Sequence, residues 1–208
     1  MATKNITKYS PGFNITDVQK KYNLKKIIKL SSNENPFISS KVENYINKIK
    51  HKINLYPNSK PIDLQSLIAK ETGYRLSQKN IILGNGSNEI LEFIARLSLD
   101  RSSEVIIPKH SFLVYEIISK LQDAKVVVSK PDLKISSPNY LGIDLISIRE
   151  KITPKTKLIF LANPANPTGT FIKLSDIDAF IRSIPPSINI VVDEAYYEYL
   201  DTKIDKSA

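Results

Sequence analysis

Three polar residues that follow apolar runs near the end of the chain have types and positions suited to binding one ligand. Asp193 comes directly after Ile190-Val191-Val192, and Tyr196 lies three residues beyond it. Asn166 follows the preceding apolar run, Leu158-Ile159-Phe160-Leu161. Open α/β sheets bind ligands outside the carboxyl ends of their strands. These two segments therefore predict a ligand pocket at one edge of a sheet.

Asp193 is the residue with the most specific chemical requirement. An unpaired carboxylate at a half-buried strand end is costly, so a cationic partner is expected. The protonated nitrogen of a pyridine ring would serve, because a carboxylate there keeps the ring cationic and able to accept electrons from a substrate carbanion. Asn166 and Tyr196 could both donate to a phenolate oxygen of that ring. Alone, Asn166 is better explained as a turn residue before Pro167, and Tyr196 as a packed aromatic with a satisfied hydroxyl. Their occurrence together with Asp193 is what favours a ligand.

A glycine-containing turn, Gly84-Asn85-Gly86-Ser87-Asn88-Glu89, precedes a predicted helix. Glycines permit a tight turn there, and the free N–H groups at the start of a helix can hold a phosphate. The turn lacks the third glycine of a dinucleotide fingerprint and the Gly-Lys-Ser/Thr of a P-loop, which disfavours both nucleotide sites. The missing lysine also weighs against Asp193-Glu194 as the magnesium-binding strand end of an ATPase. An N-capping turn without a ligand remains the alternative.

Other candidate residues are less specific. Phe112 follows the apolar run Val105-Ile106-Ile107 and could lie flat against the ring, although a core phenylalanine at a helix start is a competing interpretation. His51 and His110 have no partners at metal-ligand spacing, and the chain contains no cysteine. We therefore expect neither a metal site nor disulfides.

The order of apolar and amphipathic segments predicts how these residues are positioned. Continuous apolar runs are typical of strands covered on both faces, and they occur at 81–83, 105–107, 126–128, 158–161 and 190–192. Helical spacing predicts helices at 90–97, 112–121, 144–152 and 175–184. This alternation predicts a three-layer α/β domain with a mainly parallel sheet, whose strand order one sequence does not reveal.

The part of the chain before residue 81 has a different pattern. It begins with a polar arm to about Leu30, followed by the segment Ser31 to Phe37. Helices are predicted near 41–50 and from Pro61 to Glu71, with Gly73 as the stop of the second.

The charge balance raises the question of nucleic acid. Thirty Lys and Arg against 21 Asp and Glu give a net charge of +9, and many lysines lie between Lys20 and Lys52. Arginine is scarce there, and neither an aromatic-rich RNA-binding signature nor zinc-finger spacing accompanies the lysines. A solvated lysine face is therefore favoured over a nucleic-acid site.

The first residues contain no apolar run, so we expect neither a signal peptide nor a membrane span. A soluble cytoplasmic protein with no membrane partner is the expectation. The glycosylation patterns at Asn5-Ile6-Thr7 and Asn14-Ile15-Thr16 are then chance matches.

Together, the motifs in this order resemble fold-type I pyridoxal-phosphate enzymes, and among them the histidinol-phosphate aminotransferases. The resemblance covers nearly the whole chain and rests on segments 31–36, 55–57, 84–89, 110–115, 163–169 and 193–196. It implies the three-layer αβα large domain of that fold, incomplete at the C-terminus. Residues 1–40 would form an N-terminal arm and substrate-side segment. Residues 41–208 would form the pyridoxal-phosphate-binding large domain, without the small C-terminal domain.

The resemblance also implies which residues would hold pyridoxal 5′-phosphate. They are Gly86, Ser87, Asn88, Phe112, Asn166, Asp193, Tyr196 and Tyr56. Backbone groups of Ser87 and Asn88 would contact the phosphate and Phe112 would stack on the ring. Asn166 and Tyr196 would bind the phenolate oxygen, and Asp193 the pyridine nitrogen.

Further implications concern the partner subunit and the substrate. Tyr56 resembles the tyrosine that reaches the phosphate site of the other subunit, which implies a homodimer. Asn33 and Asn35, with Tyr56, are candidates for substrate binding. A cis peptide bond before Pro167 is also suggested.

The implied reaction is reversible amino transfer between glutamate and imidazole-acetol phosphate, giving 2-oxoglutarate and histidinol phosphate in histidine biosynthesis. The family's Schiff-base lysine lies in a Ser-x-x-Lys motif after Asp-Glu-Ala-Tyr, which we expect beyond Ala208, so this chain should contain no catalytic residue and be inactive alone. Lys203 and Lys206 lie in a polar tail and are poor replacements. An aromatic aminotransferase, a threonine-phosphate decarboxylase and a short non-catalytic phosphate-binding protein remain alternatives.

Overall fold

The computed structural model describes residue 6 and residues 8–9, 12–72 and 76–200. The chain divides between Ile81 and Ile82 into two compact units. We call residues 8–81 the N-terminal unit and the part from Ile82 onwards the sheet unit. This boundary falls later than residue 40, and the division into an arm and a large domain stays a prediction. Gly73, Lys203, Lys206, and Asn5 and Thr7 of the first glycosylation pattern lie outside the described residues.

Three α-helices occur in the described part of the N-terminal unit: α1 (Ile15–Tyr22), α2 (Ser40–Ile49) and α3 (Ile62–Glu71). The predictions for α2 and α3 are confirmed, with Pro61 as the N-cap of α3 and not its first helical residue. Helix α1 lies within the predicted polar arm and was not predicted. Local capping sets its two ends: the Asn14 side chain accepts from the Thr16 N–H at 2.9 Å, and Asn23 ends the helix in a left-handed conformation.

The sheet unit alternates helices and strands in the order α4 (Ser87–Ser98), β1 (Glu104–Pro108), α5 (Leu113–Leu121), β2 (Lys125–Ser129), α6 (Leu145–Glu150), β3 (Thr156–Ala162), α7 (Leu174–Arg182) and β4 (Asn189–Asp193). The four strands are all parallel and lie in the order β2-β1-β3-β4. From β1 the chain moves one way to β2, whereas β3 and β4 lie on the other side of β1. The point where the direction reverses is therefore between β1 and β3.

One strand prediction was wrong. Residues 81–83 join no strand, and Ile82 is 74% exposed. Ile81 instead closes a 3-10 turn through its N–H to the Gln78 carbonyl, and its own carbonyl accepts from Gln65 Nε2 at 2.8 Å. An apolar run of three residues is compatible with such a connection as well as with a strand, and its composition does not distinguish the two.

Two apolar clusters cover the faces of the sheet and explain its continuous apolar runs. On one face, α4 and α5 pack against alternate residues of β1 and β3, including Val105, Leu158 and Phe160. On the other face, α6 and α7 pack against the intervening residues, including Ile106 and Ile159. The predicted three-layer αβα arrangement with a parallel sheet is confirmed. Among the described residues, no helix is both long and apolar enough to cross a membrane, and no cluster of His, Cys, Asp and Glu could hold a metal ion.

Candidate functional site

A cavity of about 240 Å³ lies in the sheet unit beyond the carboxyl ends of β1, β3 and β4. Ligands of open α/β sheets bind at this position, next to the point where the strand order reverses. Its lining comprises Asn85, Gly86, Ser87, Asn88, Phe112, Tyr115, Ala162, Pro164, Asn166, Asp193, Ala195 and Tyr196. Seven of the eight residues predicted to hold one ligand therefore line one cavity, although they lie on four separate segments of the chain.

The first N–H groups of α4 form one end of the cavity. Gly86 is the N-cap, with φ 80° and ψ 172°, a conformation that is open almost only to glycine. Because glycine has no side chain, it does not cap the N–H groups that follow it. The neighbouring Glu89 carboxylate turns back and accepts from the Asn85 N–H at 2.6 Å. The start of this twelve-residue helix is thus suited to binding an anion through Ser87 and Asn88.

Asp193, the last residue of β4, is half-buried, and its carboxylate has two partners. Oδ2 accepts from the Tyr115 hydroxyl at 2.6 Å, and Oδ1 accepts from the Ala195 N–H at 3.1 Å. Both donors are neutral, so they offset part of the burial cost that led us to expect a cation. Each carboxylate oxygen retains a second lone-pair site, which leaves room for one more donor.

Tyr115 is a site residue that the sequence analysis did not single out. It is fully buried in α5, stacks on Phe160 with centroids 4.7 Å apart and planes 3° apart, and meets the Phe112 ring edge-on at 5.9 Å. Burial, reinforced by the bond to Asp193, raises the pKa of the Tyr115 hydroxyl. The hydroxyl therefore remains a protonated donor at neutral pH. Tyr115 follows Phe112 by three residues, about one helical turn, so the two lie on the same side of the helix. This spacing was the sequence signal that could have identified Tyr115.

The loop after β3 positions Asn166 and is fixed by the buried Asn163. The Asn163 side chain donates through Nδ2 to the Ile172 carbonyl at 2.9 Å and accepts from the Ile172 N–H at 2.8 Å. The Asn166–Pro167 peptide bond is cis, as predicted, and so is the Asn163–Pro164 bond. The two hydrogen bonds close the loop at its base, so Asn163 holds the segment that carries Asn166.

Replacing Asn163 by alanine should therefore destabilise the protein. Both polar groups of Ile172 would lose their partner in a partly buried place, and we expect the free energy of unfolding to fall by about 2–4 kcal/mol. Urea denaturation of wild-type and variant proteins measures this change. The matched variant Asn47→Ala, on the exposed surface of α2, should change stability by no more than about 0.5 kcal/mol. Equal effects of the two substitutions would contradict the role of Asn163.

Three predicted residues belong to the N-terminal unit. Tyr56 is fully exposed, and Asn33 has a left-handed backbone with φ 51°. The Asn35 side chain accepts from the Phe37 N–H at 3.0 Å, which forms a local turn. Their roles with the cofactor phosphate and the substrate stay predictions.

The fold and the cavity define the class of protein, an open α/β protein with a candidate ligand site at the carboxyl edge of its parallel sheet. A parallel sheet between two helical layers carries, at its carboxyl edge, a helix start suited to binding an anion, a carboxylate and polar side chains around one cavity.

Comparison with known proteins identifies the family to which the chain belongs. The aminotransferase class I and II family matches residues 25–206, and the chain belongs to that family. It is 37% identical to histidinol-phosphate aminotransferase 1 of Idiomarina loihiensis, over 95% of this chain and 52% of the relative. It is 34% identical to histidinol-phosphate aminotransferase 2 of Methylococcus capsulatus, over 94% of this chain and 52% of the relative. The chain thus spans about half the length of the curated relatives it matches.

Solved structures agree on the fold. Histidinol-phosphate aminotransferase from Sinorhizobium meliloti, solved in complex with pyridoxal-5′-phosphate, superposes with a TM-score of 0.76 at 22% identity, covering 92% of this chain and 50% of that one. An alanine aminotransferase from Pyrococcus furiosus gives 0.71 at 24% identity, covering 87% and 47%. The expected aminotransferase fold is confirmed.

Proposed function

We propose that the complete protein is a pyridoxal-phosphate-dependent transaminase that moves an amino group between glutamate and imidazole-acetol phosphate, giving 2-oxoglutarate and histidinol phosphate. The observation that carries this proposal is the cavity itself, which has an anion-binding helix start and the Asp193 carboxylate in one lining. A phosphorylated pyridine needs both groups. The family and the curated relatives, named as histidinol-phosphate aminotransferases, support the choice of reaction.

The chemistry of the lining fits pyridoxal phosphate. The phosphate would be held by the N–H groups of Ser87 and Asn88, with Gly86 shaping the turn. When bound, the cofactor supplies a cationic ring that accepts electrons from the substrate carbon. Asp193 would accept a hydrogen bond from the protonated ring nitrogen and so hold the ring at that atom.

The remaining side chains would orient the ring. Asn166 and Tyr196 would donate to its phenolate oxygen, and Phe112, at the start of α5, would cover one ring face. The lysine expected in a Ser-x-x-Lys motif would anchor the aldehyde and move the proton at the substrate carbon. The homodimer and the contribution of Tyr56 are parts of the same proposal and come from the family resemblance. A cytoplasmic location is also part of the proposal.

The test is a substrate comparison with the complete gene product. Histidinol phosphate, phenylalanine and threonine phosphate are each supplied with 2-oxoglutarate, and glutamate formation is measured. We expect kcat/KM to be largest for histidinol phosphate. A preference for phenylalanine would indicate an aromatic aminotransferase, and release of CO₂ from threonine phosphate would indicate a decarboxylase. Binding of pyridoxamine phosphate without any turnover would indicate a non-catalytic binding protein.

Gly86→Ala should weaken phosphate binding specifically. A Cβ at φ 80° strains the backbone by about 1–3 kcal/mol, and relief of that strain turns the N–H groups away from the anion. We expect the Kd for pyridoxamine 5′-phosphate to rise roughly tenfold or more. Pyridoxamine, which lacks the phosphate, serves as the control and should bind both proteins equally. Fluorescence titration measures all four constants, and equal losses for both ligands would contradict the assignment.

A further inference from the structure

The pairing of Tyr115 with Asp193 concerns the chemistry of the proposed site and not only its packing. We propose that Tyr115 is a positioning residue for the cofactor ring, which holds the Asp193 carboxylate in the orientation that accepts a hydrogen bond from the ring nitrogen. This inference rests on the proposed function, because it takes a pyridine nitrogen as the partner of Asp193. It adds a residue outside the motif Asp193-Glu194-Ala195-Tyr196, 78 positions away in the sequence.

Two hydrogen bonds fix the direction of the Asp193 carboxylate. The Tyr115 hydroxyl lies 2.6 Å from Oδ2, which is short for a hydrogen bond and typical of a hydroxyl donating to a charged carboxylate. With the Ala195 N–H on Oδ1, each oxygen has one donor from the protein. Two bonds to different oxygens prevent rotation of the carboxylate about its terminal bond. Its remaining lone pairs then have a defined direction.

The donor, Tyr115, is itself rigidly held. Tyr115 is fully buried, and its ring is held between the parallel face of Phe160 and the edge contact with Phe112. Phe160 lies within β3, so the stack ties the hydroxyl to the centre of the sheet. A donor on such a support positions its acceptor more accurately than a mobile surface side chain would.

The hydrogen bond from Tyr115 also suits a cationic ring. A hydroxyl that donates to a carboxylate stabilises the negative charge of that carboxylate. A negative charge beside a cationic ring stabilises the ring in the form that accepts electrons.

The test compares two ligands that differ only at the ring nitrogen. Pyridoxamine 5′-phosphate and its 1-deaza analogue, in which a C–H replaces that nitrogen, are titrated against wild type, Tyr115→Phe and the matched control Tyr140→Phe, on the exposed tyrosine of the loop before α6. We expect Tyr115→Phe to raise the Kd of pyridoxamine phosphate roughly tenfold and to leave the Kd of the deaza analogue within about twofold, a difference of about 1.4 kcal/mol at most. Tyr140→Phe should change neither constant.

A double variant separates positioning from simple stability. Once Asp193→Asn has removed the carboxylate, Tyr115→Phe should have no further effect on the preference for pyridoxamine phosphate over the deaza analogue. Equal losses for both ligands in Tyr115→Phe, or an undiminished effect in the double variant, would overturn the inference while leaving the proposed function intact. Failure of wild type to bind pyridoxamine phosphate would overturn the proposed function, and the inference with it.

Discussion

Replacing Asp193 by asparagine should cause the largest loss of activity of any single change in the cavity. Asparagine keeps the size of the side chain and can still accept from the Ala195 N–H, but it carries no charge. The ring nitrogen of the proposed cofactor would then lose its proton-holding partner. We expect kcat of the complete protein to fall by roughly 10²–10³, the range typical of removing one charge-stabilising group from an active site.

Steady-state kinetics with histidinol phosphate and 2-oxoglutarate measure this loss. Asp176→Asn makes the same chemical change on the exposed first turn of α7 and should leave kcat within about twofold of wild type. The midpoint of thermal unfolding is recorded for both variants, so that loss of folding is recognised. A well-folded Asp193→Asn protein with more than a third of wild-type kcat would contradict the assignment of Asp193.

Phe160→Ala should produce the largest loss of stability. Phe160 is fully buried in β3, within the apolar cluster formed by α4, α5 and the sheet, and its ring stacks on Tyr115. Truncation removes the buried ring and leaves a cavity that the rigid sheet does not fill. We expect the free energy of unfolding to fall by about 3–5 kcal/mol, a large part of the stability of a typical domain.

Urea denaturation gives the size of this effect, and Phe93→Ala is the matched control. Phe93 lies on α4 with 44% of its surface exposed, so the same substitution there should cost less than about 1 kcal/mol. Phe160→Leu, which retains more of the buried volume, should lie between the two. Similar losses at positions 160 and 93 would show that the Tyr115–Phe160 stack contributes little.

The sheet was predictable from the sequence because its strands are covered on both faces. The runs at 105–107, 126–128, 158–161 and 190–192 all became strands. In the central strands β1 and β3, burial on both sides selects apolar residues at nearly every position. The glycine turn before α4 and the polar residues at the ends of β3 and β4 could also be identified from the sequence. Parallel strands align their carboxyl ends, so residues far apart in sequence converge on one cavity.

Pairings between distant residues were not predictable. The contact of Tyr115 with Asp193 depends on which strands are neighbours and on the orientation of α5, and neither is encoded in a local pattern. The role of Asn163 was hidden for a similar reason, because its partner Ile172 lies nine residues away, across a loop. The run at 81–83 misled in the opposite direction, since it has the composition of a strand but pairs with none. Ile81 donates to the nearby Gln78 carbonyl and accepts from the Gln65 side chain instead.

The strand order has a consequence for how the chain is made. β3 pairs with the edge of β1 that β2 leaves open, yet the ribosome completes β3 roughly fifty residues after β1. At roughly 5–20 residues per second, the nascent chain therefore carries an unpaired apolar strand edge for about 3–10 s. During that interval the edge is a target for chaperones and for other nascent chains. Synonymous codons that slow translation between β2 and β3 should lengthen this exposure and lower the soluble yield.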